Sequence, residues 1–375
     1  MSILVDKNTT FMVQGITGRE AINLTRDCLD YGSKVVGGVT PGRAGRDIYG
    51  VPVYDCVRDV IKKHGPVHGS VISVPPGFTK DAAFEAIENG VKLIVIVTEN
   101  IPRQEVAQMV ELASLRGARI IGPNCLGLIT PGECKMGGIG GPAANTKQAY
   151  TRGPIGIMSR SGGMTTEIAS TLTAAGLGQS TAVSIGGDAI IGTSYAELMP
   201  YFEADPETKA IAIYSEPGGR MEAELAEWVT AHKSRLPIIA FMAGRFMDEM
   251  QGMRFGHAGT IVEGKEDTTA AKIERMEAAG ISVAERIEEI PKLIQKRIAD
   301  KRTAGMFIDV QVDAAVAKDT ALAKKLVEVC PVNIFAQTQD GALRIVDANL
   351  DECTLCDLCI QATPPGSVRI VKLYE

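Results

Sequence analysis

Short apolar runs recur along this chain at intervals that leave room for one helix between neighbours, and they form two separate series. Phe11-Met12-Val13, Lys34-Val35-Val36, Ser70 to Val74 and Leu93 to Val97 make the first. Ile155 to Met158, Thr181 to Ile185, Ala210 to Tyr214 and Pro237 to Phe241 make the second. Runs of this length without apolar–polar alternation suit strands covered on both faces, as in a parallel sheet. Amphipathic stretches such as 80–89 and 103–115 fill gaps in the first series. Helices fit 164–175, 194–204, 221–233 and 267–278 in the second, with helical character to about residue 302. The pattern is the strand–helix–strand rhythm of a doubly wound α/β sheet, twice over. Residues 132–153, rich in Gly, Pro and Asn, read as a linker. After residue 304 the rhythm stops, leaving short β pieces, an Asp340-Gly341 hairpin signal and a group of cysteines. Three domains are expected, at 1–130, 150–302 and 304–375.

A chain of 375 residues exceeds one ordinary core, in keeping with that division. The net charge of −6 leaves no basic footprint for nucleic acid. No apolar run nears the roughly 20 residues that span a bilayer. Met1 to Asp6 lacks the basic start and apolar stretch of a secretion signal, so no membrane partner and a cytoplasmic location are expected. There, cysteines serve as thiols or metal ligands rather than disulfides. Of the eight, Cys28, Cys56, Cys125 and Cys134 are scattered through the first half and read as small buried hydrophobes, although Cys125 lies in a Gly/Pro/Asn loop.

The first strand runs into Gln14-Gly15-Ile16-Thr17-Gly18 before a helix begins. Glycines there let the backbone turn sharply toward a phosphate, to which the helix N-terminus offers free N–H groups. Gly37-Gly38-Val39-Thr40-Pro41-Gly42-Arg43 follows the second strand, and Val74-Pro75-Pro76-Gly77-Phe78 the third. Three such loops at successive strand ends point to a nucleotide-like ligand. No Asp or Glu closes the second strand to hold a ribose, which counts against NAD.

These stretches, together with Thr98-Glu99, Ile101-Pro102, Ile121-Gly122-Pro123-Asn124-Cys125, Ser159-Arg160-Ser161-Gly162, Gly178-Gln179-Ser180-Thr181, Ile185-Gly186-Gly187-Asp188 and Gly256-His257-Ala258-Gly259, stand in one order. In them the chain resembles the α subunit of succinyl-CoA synthetase and its relatives, over roughly residues 1–300. The resemblance implies a Rossmann-like domain that binds coenzyme A, with Gly15, Thr17, Gly18, Arg43, Val74, Pro75 and Asn124 in the matching loops. It implies a second, flavodoxin-like doubly wound ligase domain. Arg43 stands where the family usually has lysine, which keeps the positive charge. Arg19-Glu20 depart from the family's usual residues after the first loop.

Of four histidines, His64, His68 and His232 read as surface residues. His257 lies between small residues that leave its imidazole uncrowded. The resemblance makes it the phosphate-carrying histidine; a neutral imidazole nitrogen is a competent nucleophile toward phosphorus. Ser159, Ser161, Gly162 and Gly163 close a strand and open a helix, so hydroxyls and free N–H groups suit phosphate or carboxylate. Glu216 matches a family glutamate that orients the histidine, with Pro217 replacing the usual isoleucine. The implied route runs from ATP or GTP to phosphohistidine, then to an acyl phosphate, then to the CoA thioester. The chain shows no second phosphate loop and no carboxylate set for magnesium; in the family, ATP and Mg²⁺ belong to an ATP-grasp β subunit, which makes an αβ or α₂β₂ assembly the expectation.

Succinyl-CoA synthetases look like Ser-Gly-Thr-Leu where this chain has Ser161-Gly162-Gly163-Met164, a form that resembles ATP citrate lyase and citryl-CoA synthetase. Losing the threonine at Gly163 removes bulk at the helix start and admits a larger tricarboxylate. Citrate is the expected acid, with succinate, malate or another acid as alternatives.

Cys353, Cys356 and Cys359 form C-x₂-C-x₂-C, and Cys330-Pro331 lies upstream. In bacterial-type ferredoxins each run is C-x₂-C-x₂-C-x₃-C-P, and the fourth cysteine of one run serves the other cluster. Ferredoxin spacing puts the upstream run's absent ligands at Thr320, Ala323 and Leu326, and Thr363-Pro364 replaces the downstream fourth. By that crossing rule, Cys330, Cys353, Cys356 and Cys359 complete one [4Fe–4S] site and leave none for the other. The tail therefore looks like a small α+β ferredoxin-like domain with a structural or redox role. Zinc on four thiolates and a metal-free remnant are the alternatives. An oxidoreductase pairing a nucleotide fold with an iron–sulfur domain is the rival reading for the whole chain.

Overall fold

The structure, a computed structural model, describes residues 3–250, 257, 259–260, 268–301, 307–338 and 340–373. It divides into two compact units, Met1–Ile294 and Gln295–Glu375.

The first unit begins with β1 (Thr10–Gln14), α1 (Arg19–Tyr31), β2 (Lys34–Val39), β3 (Asp47–Ile48), β4 (Val51–Tyr54), α2 (Val57–His64) and β5 (Gly69–Ile72). It continues through α3 (Pro76–Glu88), β6 (Leu93–Ile96), α4 (Arg103–Arg116) and β7 (Arg119–Ile121). The strands form one sheet in the order β3-β4-β2-β1-β5-β6-β7, parallel except for β3 against β4. Strand β5 and strand β6 are buried along their whole length, as their uninterrupted apolar composition requires. Each fully buried Val or Ile there contributes roughly 1.5–3 kcal/mol. The sequence pattern places α3 at Lys80, but the helix starts a turn earlier because Pro76 at its first position needs no N–H partner. The β3–β4 hairpin, too short to show a period, is absent from the sequence reading.

The order in which strands are added reverses at β1, with β2 on one side and β5 on the other, both parallel to it. Ligands of doubly wound sheets bind at such a switch point, outside the carboxyl ends of the strands. The three glycine and proline loops noted above follow β1, β2 and β5, so all three border this crevice.

The second sheet contains β8 (Gly127–Thr130), β9 (Cys134–Met136), β10 (Arg152–Ser159), β11 (Gln179–Ser184), β12 (Ala210–Ser215), β13 (Ile238–Met242) and β14 (Ser282–Ala284). Its order is β14-β13-β12-β10-β11-β8-β9. Its helices are α5 (Ala143–Ala149), α6 (Gly162–Ala174), α7 (Tyr195–Ala204), α8 (Met221–His232), α9 (Thr269–Ala278) and α10 (Ile290–Lys301). Residues 132–153 are no linker. Strand β8 extends this sheet antiparallel to β11, β9 follows antiparallel to β8, and α5 packs against α1 and α6. Gly137 within the stretch faces Gly127 before it, and both adopt positive φ where the β8 and β9 backbones meet, so glycine there marks a close approach rather than a loose chain. A second switch point lies at β10, between β11 and β12.

The second unit holds β15 (Ile308–Val312), α11 (Ala314–Lys318), α12 (Thr320–Val329), β16 (Phe335–Gln337), β17 (Leu343–Ile345), α13 (Leu358–Gln361) and β18 (Val368–Lys372). Its first and last strands pair antiparallel, and β16 and β17 form a hairpin that turns at Gly341, φ 85°. Val310, Leu326, Phe335 and Leu350 are its core. This is the small α+β build expected of a ferredoxin-like module. Ala323 and Leu326, at two of the positions where a second cluster would need ligands, are fully buried apolar residues of α12.

Candidate active site

In the first crevice, Gly15 holds φ 84°, and a Cβ on it would stand 2.3 Å from the Ser73 carbonyl oxygen. Only glycine lets the loop after β1 lie this close to the loop after β5. Thr17 Oγ1 donates to Thr40 Oγ1 at 3.2 Å, joining the first loop to the second. Gly18 caps α1 without a side-chain partner, which leaves the helix N–H groups open to a ligand. The backbone N–H of Arg43 donates to Asp55 Oδ1 at 3.1 Å while its side chain is exposed. The Val74 carbonyl accepts from Thr98 Oγ1 at 2.7 Å, and the exposed Pro75 caps α3. Asn124 joins the same loops through its N–H, which donates to the Thr98 carbonyl at 2.9 Å. Its backbone is left-handed at φ 54°, and its side-chain amide donates to Asp188 Oδ1 at 3.0 Å. It thereby braces the loop after β11.

At the second switch point, the loops after β10, β11 and β12 stand side by side. Ser159 is fully buried and donates from Oγ to the Ser161 carbonyl at 2.7 Å. Ser161 caps α6 and accepts from the Met164 N–H at 3.4 Å. Gly162 is pressed on Leu126, whose Cγ would lie 2.3 Å from an added Cβ, whereas nothing stands within 4 Å of one on Gly163. The room at the α6 start is therefore at Gly163.

His257 meets these loops. Its Nδ1 lies 2.8 Å from Glu216 Oε2. The ring fills the space of a side chain at Gly187, where an added Cβ would be 2.6 Å from His257 Cγ. The His257 side chain is 29% exposed and that of Glu216 9%, so the carboxylate is shielded while the imidazole keeps an open edge. The hydrogen bond to Glu216 raises the His257 pKa above the ordinary imidazole value, against burial and the nearby Arg160 charge. With Nδ1 held as the protonated nitrogen, Nε2 is the lone-pair nitrogen that remains for chemistry.

Two groups escape the sequence reading. Arg160, inside the quoted serine motif, is 1% exposed. It donates to the carbonyls of Gly186 at 3.4 Å and Asp188 at 2.8 Å. Among the described residues no carboxylate pairs with it, and with Arg103, Arg220 and Gly259 it lines a cleft of about 700 Å³. Lys272 is buried beneath the Glu216 loop. Nothing in its sequence surroundings marks it, because its partners lie on other elements.

The expected surface role of the other histidines agrees with the structure: His64 contacts Tyr54, His68 accepts from the Thr10 N–H, and His232 stacks on Trp228. Cys28, Cys125 and Cys134 are buried, and burial pushes the Cys125 thiol up to about 12; Cys56 is half-buried beside Asp59.

In the second unit, Cys330, Cys353, Cys356 and Cys359 line one cavity and are all free thiols. Cys330 Sγ accepts from the Ile334 N–H at 3.4 Å, and Leu355 and Asp357 take positive φ so that the loop curves around the three later cysteines. Burial raises the Cys359 thiol, with smaller contributions from Cys353 and Cys330. Among the described residues no three His, Cys, Asp or Glu side chains gather tightly enough to hold a metal ion.

Two doubly wound sheets in one unit, each with its loops gathered at a switch point, define a two-part doubly wound α/β protein with a ligand crevice at each sheet. Residues 6–100 match the CoA binding domain family, and residues 152–295 the succinyl-CoA ligase like flavodoxin domain. A succinate–CoA ligase [ADP-forming] α subunit of Archaeoglobus fulgidus is 43% identical over 294 residues, 78% of this chain and 99% of that one. The ADP-forming sulfoacetate-CoA ligase subunit SauD of Bilophila wadsworthia is 42% identical, over 79% of this chain and 99% of that one. The Methanosaeta concilii ATP citrate lyase in complex with (3S)-citryl-CoA shares the fold at TM-score 0.74 and 23% identity, over 80% of this chain. This chain spans about half the length of that structure, 50% of it. The chain belongs to the family of α subunits of ADP-forming succinate–CoA ligases, and it is an acid–CoA ligase with a coenzyme A-binding domain. The oxidoreductase reading is thereby set aside. Among the described residues no helix is long and apolar enough to cross a membrane.

Proposed function

We propose that this chain is the α subunit of a citryl-CoA synthetase, working with an ATP-grasp β subunit that supplies ATP and Mg²⁺. The carrying observation is the 2.8 Å contact between Glu216 and His257 Nδ1, which leaves Nε2 as nucleophile. That nitrogen attacks the γ-phosphorus of ATP and ADP leaves. A carboxylate oxygen of the acid then takes the phosphoryl group from Nε2, with Glu216 holding the Nδ1 proton throughout. The CoA thiolate attacks the acyl carbon and phosphate departs. Ser161 and the N–H groups of Gly162 and Gly163 at the α6 start would take the phosphoryl or carboxylate oxygens, with Ser159 fixing that turn from beneath through its bond to the Ser161 carbonyl. Gly15, Thr17, Gly18, Arg43, Val74 and Pro75 form the CoA crevice, with Asn124 bracing its far side.

Citrate is favoured by the open space at Gly163. Relatives named for succinate and for sulfoacetate set the competing choices. The test offers citrate, succinate, malate and sulfoacetate separately to the αβ complex with ATP and CoA. Thioester from citrate is the expected result; preference for another acid overturns the substrate and leaves the histidine route in place. His257→Ala abolishes phosphoenzyme while CoA binding persists; acid-labile phosphate retained on that variant defeats the route.

The second unit would hold one [4Fe–4S] cluster on Cys330, Cys353, Cys356 and Cys359; the support is their sequence spacing and shared cavity, and a four-iron cluster bridges thiols set wider apart than a single metal ion allows. Such a group stabilises a small domain. Anaerobic purification with iron and sulfide analysis tests it; colourless, zinc-loaded protein defeats it.

A further inference from the structure

Lys272, the fourth residue of α9, is 2% exposed. Its ammonium has three protons, and three oxygens accept them: the Glu216 carbonyl at 3.0 Å, the Gly218 carbonyl at 2.5 Å and Glu222 Oε2 at 2.6 Å. Glu222, 1% exposed, sits in the first turn of α8, and its other oxygen accepts from Ser215 Oγ. Ser215, Glu216, Gly218 and Glu222 are thus all tied to one lysine or to its partner. The ties fall on both sides of the residue whose carboxylate meets His257. Helix α9 is a firm base for this clamp: Asp248 accepts from the Thr269 N–H at 2.7 Å, Thr269 Oγ1 at 2.8 Å and the Ala270 N–H at 3.1 Å.

A buried ion pair is a poor device for stability alone, since packed apolar residues of similar volume do as well or better. Apolar residues cannot hold two carbonyls in place. We propose that the buried Lys272–Glu222 pair is a positioning device for Glu216, locking the Ser215–Gly218 loop so that its carboxylate is aimed at His257 Nδ1. Both residues act through Glu216 and touch no substrate. The activity arm of the test rests on the phosphohistidine reading; the titration arm does not.

The experiment uses the full chain. The variant Lys272→Met with Glu222→Leu removes both charges together, so that neither is left buried and alone. Its melting temperature is expected to fall, because the Glu216 and Gly218 carbonyls and the Ser215 hydroxyl lose their partners, while the cooperative fold is kept. The His257 titration midpoint, followed by NMR of the imidazole, should fall toward the ordinary value as Glu216 drifts away. The groups that weigh most on His257 are Glu216, Arg160 and Asp188; the double variant removes a cation and an anion paired at 2.6 Å, so the net charge is unchanged and a changed midpoint reports the position of Glu216. Phosphoenzyme formation with the β subunit should drop on the order of tenfold to a hundredfold, with CoA binding unchanged. Should the double variant fail to fold, Glu222→Gln keeps the shape and is expected to lower the midpoint by a smaller amount. A folded variant with the parent's midpoint and phosphoenzyme rate overturns the proposal. Glu216→Gln, which must lower the midpoint by itself, and phosphorylation of the parent chain show separately whether the underlying histidine reading stands.

Discussion

His257 carries two opposing influences, and their balance sets its pH dependence. The Glu216 hydrogen bond raises the imidazole pKa, while burial and Arg160 lower it, and the bond is the larger. Imidazolium has no lone pair at Nε2, so phosphoenzyme formation falls as pH drops through this raised value, which lies above the ordinary imidazole figure of about 6.5. Glu216→Gln removes the carboxylate, and the acid limb is expected to move to lower pH while the plateau rate declines; rapid-quench phosphorylation across pH 5.5 to 8.5 (roughly one pKa unit or more either side of the ordinary value) reads both. For stability the sign is opposite. A raised pKa stabilises the fold below the unfolded imidazole value, and that contribution disappears as pH rises through the folded one. His257 and Glu216 were legible at this scale because their neighbours are small or match a family pattern. The part played by Arg160 has no signal in its own motif, since its contacts to Gly186 and Asp188 belong to another strand's loop.

Helix α6 shows how adjacent glycines differ in cause. Gly162 faces Leu126 with no room for a Cβ, and Gly163 faces open space. Gly162→Ala is expected to cost about 1–3 kcal/mol through overpacking, measurable by denaturant unfolding. Gly163→Thr is expected to fold normally and to move thioester formation from citrate toward succinate; an unchanged ratio would show that the α6 start does not choose the acid. In the first crevice, Gly15→Ala meets both a left-handed φ and the Ser73 carbonyl. Loss of CoA affinity by calorimetry, with the His257 titration unaltered, is the expected outcome. The glycine pattern revealed where loops turn but not which glycine is pressed by a neighbour and which leaves a space.

The two compact units allow the ligase and the cysteine module to be tested apart. Cys356→Ser in the full chain is expected to abolish iron binding while citrate-dependent thioester formation by the αβ complex persists within roughly twofold, as for a surface change in a separate compact unit; parallel loss of both would assign the module a part in turnover. Local composition determined much of this molecule: uninterrupted apolar runs made buried parallel strands, Gly15 and its companion loops marked one crevice, and cysteine spacing marked another cavity. Those signals are short-range, written within a few residues of one another. Tertiary structure alone decided that 127–136 would close the second sheet, and that Arg160 would be buried against the loop after β11. It alone decided that Lys272 and Glu222, fifty residues apart, would share one bond beneath Glu216. Such pairings have no local signature, because each depends on where the chain returns after crossing a sheet, and that is set by the packing of the whole unit.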